Sequence, residues 1–203
     1  MPRVIAGALG GRRFAAPPGE ATRPTAERVR EALFSALAAD LPDAAVLDLF
    51  AGSGALAIEA LSRGASRAVL VESSRRAVTV IRRNLGDLGL DEPPGRALVR
   101  GIDVRTFCAL PEGGPFDVVL ADPPYELSAE VLGGCIGDLV AAGALRPGAR
   151  VVLERERRGV EALEAARPPA VASERVRAYG DTVLVWWRAS HEVPGDVRGD
   201  VPT

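Results

Sequence analysis

The chain has 203 residues, 47% of them hydrophobic and 26% charged, with a formal net charge of -2. That suits one domain with at most a small appendage and argues against a membrane-spanning bundle or broad disorder. All 25 basic residues are arginine, which argues against lysine Schiff-base chemistry and against a phosphate loop that needs its lysine.

The two cysteines, Cys108 and Cys135, have no Cys-x-x-Cys spacing and support neither a disulfide framework nor a zinc site, so no metal is expected. The single histidine, His191, lies beside the Pro/Gly/Asp-rich end of the chain, which argues against Ser-His-Asp or Cys-His catalysis. Met1-Pro2-Arg3 opens no apolar signal segment, so a cytoplasmic protein, with no membrane partner, is expected.

In chain order, Arg3 to Gly7, a Gly-rich turn and Arg12 to Ala16 predict a small N-terminal β-hairpin, and residues 1–22 are taken as an extension of the main domain. Residues 1–35 hold six arginines (Arg3, Arg12, Arg13, Arg23, Arg28, Arg30) against Glu20, Glu27 and Glu31. A basic arm on an otherwise acidic chain hints at a nucleic-acid partner; a solvated surface is the plainer alternative. From Thr25, a plausible N-cap, Val29, Leu33, Phe34 and Leu37 recur at helical spacing.

Beyond residue 45 short apolar runs alternate with helical stretches. Strands are predicted at Val46 to Phe50, Ala68 to Val71, Ala97 to Val99, Phe116 to Ala121 and Val151 to Leu153, with helices near 55–63, 74–86, 104–110 and 127–141. This alternation implies α/β architecture, a mostly parallel sheet covered on both faces. Val171 to Ala178, the Gly180-Asp181 turn and Thr182 to Arg188 predict an antiparallel hairpin at one edge, which makes seven strands. The main domain is placed at 23–190, and 191–203 is expected to be a disordered tail.

Two motifs carry the chemistry. Asp48-Leu-Phe-Ala-Gly52-Ser-Gly54-Ala ends the first parallel strand and opens a helix, where glycines permit close backbone approach and the helix N-terminus offers unpaired N-H groups. Gly52-x-Gly54-x-x-Ala57 with Glu72 also satisfies the dinucleotide fingerprint, so the motif alone does not separate NAD from another adenosine cofactor. Asp48 favours a cofactor bearing an ammonium and a sulfonium, because a carboxylate at this loop repels a pyrophosphate. Glu72 can accept both ribose hydroxyls, and Asp103 is placed for an adenine amine or, more plainly, for capping a helix. The second motif, Asp122-Pro123-Pro124-Tyr125, follows an apolar strand. Its prolines fix the backbone so that Asp122 and the Pro123 carbonyl can point outward as acceptors, and Tyr125 offers a flat stacking face.

Together these motifs resemble the Rossmann-like amino methyltransferases, and Arg23-Pro-Thr-Ala-Glu-Arg28-Val-Arg30-Glu-Ala-Leu-Phe34 resembles the N-terminal signature of the RsmD family. The resemblance runs from about Arg3 to Arg188. It implies a Rossmann-like, S-adenosyl-L-methionine-dependent methyltransferase fold with a mostly parallel seven-stranded sheet and an antiparallel edge strand. It implies methyl transfer to the exocyclic N2 amine of a guanine in 16S rRNA of the small ribosomal subunit. S-adenosyl-L-methionine would be held by Asp48, Phe50, Gly52, Gly54, Glu72 and Asp103, the target by Asp122, Pro123 and Tyr125, and RNA by Arg12, Arg13, Arg23, Arg28 and Arg30. Arg23 is alternatively a partner for the cofactor carboxylate, and a monomer is expected. A DNA adenine N6-methyltransferase, an NAD-dependent oxidoreductase and a noncatalytic RNA-binding module are the rival readings.

Overall fold

The computed structural model describes residues 1–17, 24–91 and 96–190. Arg23, His191 and the expected tail lie outside the described residues. The elements are α1 (Pro24–Ala36), β1 (Ala45–Leu49), α2 (Ala55–Ser62), β2 (Arg67–Val71), α3 (Arg75–Leu88), β3 (Ala97–Arg100), α4 (Val104–Ala109), β4 (Phe116–Ala121), α5 (Ala129–Ala141), β5 (Leu145–Glu156), a single 3-10 turn (Arg157–Gly159), α6 (Val160–Ala165), β6 (Val171–Tyr179) and β7 (Thr182–Ala189). Every strand and helix expected beyond residue 45 is present. β5 is far longer than Val151 to Leu153, and α6 was not expected, because within it only Leu163 is buried and so no apolar stripe announces it.

The seven strands form one sheet in the order β3-β2-β1-β4-β5-β7-β6. β1 to β5 are mutually parallel, while β7 runs antiparallel to both β5 and β6. The antiparallel strand is thus one position in from the edge, which β6 occupies. β1 is buried along its whole length, as a central strand covered on both faces must be. Because successive side chains point to opposite faces, Val46, Leu70, Leu120 and Val152 join one core with α1, α2 and α3, and Leu47, Val69, Val119 and Val151 join a second with α4, α5 and α6. Cys108 and Cys135 are free and buried in the second core.

The expected N-terminal hairpin is reduced to a single antiparallel bridge, Arg3 to Arg13. Val4 and Phe14 still donate across the arm, to the Arg12 and Pro2 carbonyls at 2.9 and 3.1 Å, but the next donors go to α2: Ile5 and Ala6 donate to the buried Glu59 carboxylate at 2.7 and 3.1 Å, and Leu9 donates to Ser62 Oγ at 3.0 Å. Gly7 lies so close to α2 that a Cβ there would fall 1.9 Å from the Ser62 carbonyl oxygen. Val4 and Phe14 are buried in the core shared with α1, α2 and α3, so this segment is packed into the domain.

Candidate functional site

The sheet changes direction between β1 and β4: from β1 the chain builds outward to β2 and β3, and from β4 it builds the other way. Ligands of open parallel sheets bind at the carboxyl ends of the strands flanking such a switch point. Both sequence motifs end there. Asp48 on β1 lies opposite Leu70 of β2 and Leu120 of β4, so two residues further on, and on the same face of the sheet, come Glu72 and Asp122. Strand register therefore converges three carboxylates from distant parts of the chain.

Asp48 is fully buried. Its Oδ2 accepts the Ala57 amide of the first turn of α2 at 3.0 Å, and its Oδ1 is buried with no partner among the described residues. Burial pushes its carboxyl up to about 8; the Ala57 N-H opposes this, and the nearby charges of Asp122 and Glu72 add to it. A cation placed against this orphaned oxygen would favour its ionised form, whereas a phosphate would oppose it and would meet the two neighbouring carboxylates as well.

The turn from β1 into α2 is cramped. Phe50 adopts φ 65°, unusual for a bulky residue, and is half-buried. Gly54 takes φ 81° as the residue before α2, where an added Cβ would lie 3.2 Å from Leu70 Cδ2 in a conformation L side chains rarely adopt. Gly52 donates its amide to Glu72 Oε2 at 2.9 Å, and Ser74, the N-cap of α3, donates to Glu72 Oε1 at 2.7 Å. Glu72 is thereby fixed in place, and each oxygen retains a lone pair for a ligand hydroxyl.

Asp103 is the N-cap of α4. Its Oδ1 accepts the Arg105 amide at 2.9 Å and its carboxylate pairs with the Arg105 side chain, which holds its carboxyl below the usual range. The capping role is therefore the one present in the structure. In the second motif Pro123 is buried, while Asp122, Pro124 and Tyr125 are exposed, Tyr125 by 54%. A ring that open in a rigid turn above the switch point is free to stack on a planar group.

Of the arginines expected to meet RNA, Arg12, Arg13 and Arg28 are exposed. Arg30 is corrected: it is buried, its Nη2 donates to the Arg3 carbonyl at 2.6 Å, and its guanidinium lies 5.9 Å from the Phe14 ring centroid. A helical position beside Val29 and Leu33 faces the core, and the arm closes over it.

Two features escaped the sequence reading. Asn84 is buried on the apolar stripe of α3: its Nδ2 donates to the Ala15 and Ser53 carbonyls at 2.9 Å each, and its Oδ1 accepts the Ala15 amide at 2.8 Å. It ties the N-terminal arm to the glycine loop, and a lone amide in line with Ile81, Leu85 and Leu88 was the signal that could have revealed it. The exposed face of α3 carries Arg75, Arg76, Arg82 and Arg83, and Arg12 Nη2 donates to the Asp87 carbonyl of that helix at 2.7 Å, so arm and helix share one basic surface.

Among the described residues no group of three or more His, Cys, Asp or Glu side chains is placed to hold a metal ion, and no helix is long and apolar enough to cross a membrane. Comparison with known proteins finds a family model, described as Conserved hypothetical protein 95, that matches residues 2–188. Ribosomal RNA small subunit methyltransferase D of Escherichia coli K12 is 42% identical over 123 residues, 61% of this chain and 60% of that protein, so the match spans less than two thirds of that relative's length. The protein of the same name from Haemophilus influenzae is 34% identical over 156 residues, covering 76% of this chain and 79% of its own. The solved structure of yhhF from Escherichia coli superposes with a TM-score of 0.80 at 33% identity, over 94% of this chain and 98% of that one.

Proposed function

The chain belongs to the Conserved hypothetical protein 95 family, the RsmD family, and from that membership we propose that it transfers a methyl group from S-adenosyl-L-methionine to the exocyclic N2 amine of a guanine in 16S rRNA of the small ribosomal subunit. The observation that carries the reading is the convergence of Asp48, Glu72 and Asp122 at the switch point, with the orphaned Asp48 Oδ1 beneath it. A ligand that is cationic at one end and bears a ribose at the other answers both demands. The same buried carboxylate disfavours the pyrophosphate of NAD, which the glycine spacing alone would have allowed.

Asp48 and the amides of the β1-α2 turn would hold the amino-acid end, and Glu72 the ribose hydroxyls. Bound there, S-adenosyl-L-methionine supplies an electrophilic methyl group on sulfur. The rest is positioning by this chain's residues. Asp122 and the Pro123 carbonyl accept the two hydrogens of the target amine, which turns the nitrogen lone pair toward the methyl and favours the charge that develops on it. Tyr125 holds the base flat once it has left its stack. A carbon-nitrogen bond forms as the carbon-sulfur bond breaks, and the nitrogen then releases a proton that has become acidic. Asp122 therefore need not be a strong base.

The charge of the chain favours an assembled particle over naked RNA. Its net charge is -2, so the exposed arginines of the arm and of α3 must supply the electrostatic attraction, and shape must supply the rest. The test is incubation with labelled S-adenosyl-L-methionine and small subunits lacking the modification, then nucleoside mass analysis. N2-methylguanosine in 16S rRNA is the expected product. Label recovered on adenine, or no transfer to guanine from either subunits or purified 16S rRNA, overturns the reading.

A further inference from the structure

Arg155 stands where the sheet calls for an apolar residue. On β5, Val151 and Leu153 face the core shared with α4, α5 and α6, and Arg155 continues that face with only 9% of its surface exposed. A guanidinium so buried costs free energy unless its donors are used. Only part of that demand is met: Nη2 donates to the Leu127 carbonyl at 2.8 Å, while Nη1 is buried without a partner among the described residues. Gly159 packs beside it, where a Cβ would come within 3.4 Å of Arg155 Nε.

The bond to Leu127 reaches the segment that carries the target-facing residues. Leu127 in turn donates its amide to the Pro124 carbonyl at 3.0 Å, and Ser128 caps α5, its Oγ accepting the Val131 amide. The turn between β4 and α5 is otherwise exposed at Asp122, Pro124, Tyr125 and Glu126. It is anchored from beneath by a rigid fork on the neighbouring strand, and the order of the chain is Arg155 to Leu127 to Pro124, with Asp122 and Tyr125 on either side of the proline pair.

We propose that Arg155 is a positioning residue for methyl transfer: through the Leu127 carbonyl it fixes the turn that presents Asp122, the Pro123 carbonyl and Tyr125 to the target base. This rests on the site reading given above and adds to it a residue that touches neither cofactor nor substrate. Arginine suits the task because its planar guanidinium is preorganised and loses little freedom per hydrogen bond made. A displacement of about 1 Å in such a turn is enough to cost roughly a hundredfold in rate.

The experiment compares Arg155→Met, which keeps an unbranched apolar stem but has no donor, with Arg155→Lys, which keeps one flexible cationic donor. Amide hydrogen exchange, cofactor affinity and kcat on unmodified small subunits are measured for each. For Arg155→Met the expected result is exchange at residues 125–128 about tenfold faster or more, kcat lowered by about ten- to a hundredfold, and cofactor affinity within about twofold of the parent, with Arg155→Lys recovering part of both losses. Parental exchange at residues 125–128 in both variants overturns the proposal. So does exchange that accelerates equally throughout β5 and α5, or cofactor affinity that falls in step with kcat, since either marks a purely structural role. Should Arg155→Met not fold, Arg155→Lys alone decides, by faster exchange confined to 125–128 or by its absence. Exchange is read without RNA, so a parent protein that fails to methylate counts against the function and leaves this test standing.

Discussion

Gly52 and Glu72, twenty residues apart in sequence, are joined by a 2.9 Å hydrogen bond from the glycine amide to Glu72 Oε2. The glycine turn after β1 and the acid after β2 are therefore one hydrogen-bonded unit, and a substitution at Glu72 acts on both. Glu72→Ala removes the brace on the turn and the proposed acceptor for the ribose hydroxyls. Affinity for S-adenosyl-L-methionine is expected to fall by about 1–3 kcal/mol, the scale for hydrogen bonds to a charged group. Titration calorimetry that returns the parental affinity would remove Glu72 from the cofactor site.

Asp48 makes the ligand-free protein sensitive to pH. Its folded-state carboxyl is pushed up to about 8 by burial, above its ordinary 3.8, so the folded chain holds a proton that the unfolded chain releases, and this contribution to stability is complete below pH 4 and is lost as pH rises to 8. Asp48→Asn removes the titration. Its stability relative to the parent is expected to improve between pH 5 and pH 8, by at most about 4 kcal/mol, and S-adenosyl-L-methionine binding is expected to weaken. Parallel denaturation curves at both pH values would refute the assignment.

Asp122→Ala separates chemistry from cofactor binding. Since the proposed partner of Asp122 is the target amine, turnover is expected to drop by about a hundredfold or more while cofactor affinity stays within a few-fold. Tyr125→Ala should be damaging and Tyr125→Phe mild, since stacking uses the ring and not the hydroxyl. Single-turnover rates check both, and a Tyr125→Phe variant as impaired as Tyr125→Ala would refute the stacking role.

The arginines of the N-terminal third divide by burial. Arg13→Ala and Arg28→Ala, at exposed positions, are expected to lower the salt slope of RNA binding by about 1 each and leave Tm unchanged. Arg30→Ala strips the Arg3 carbonyl of its buried donor, so it is expected to cost about 1–3 kcal/mol of stability with the salt slope intact. A salt slope altered by Arg30→Ala at unchanged Tm would return Arg30 to the RNA surface.

Asn84→Ala leaves the Ala15 and Ser53 carbonyls without their buried donor. A loss of about 1–3 kcal/mol in stability is expected, accompanied by weaker S-adenosyl-L-methionine binding because Ser53 belongs to the glycine turn. Thermal denaturation with and without cofactor measures both effects; a variant of parental Tm would show that the arm is not held through Asn84.

What the sequence determined by itself is local chemistry in local geometry. Asp48 to Gly54 and Asp122 to Tyr125 each sit where an apolar run ends, and in a parallel sheet strand ends fall on one edge, so the two motifs were legible as parts of one site before any contact was known. At Asp103 the sequence left an adenine contact and helix capping both open; capping, which needs only the next two residues, is the contact the structure forms. The tertiary structure decided which polar groups are inside and what they hold. Arg30 reads as a solvent-facing cation until the arm folds over it, and Arg155 reads as one charge in a charged run until the register of β5 turns it onto the core face. The backbone of Ile5 and Ala6 reads as part of a strand until Glu59 on α2 takes its donors. The position of β7 inside the sheet belongs to the same class, because a hairpin's own sequence specifies its turn but not which of its two strands meets the neighbouring strand. Burial and strand neighbours depend on segments far apart in the chain, and periodicity within a segment does not encode them.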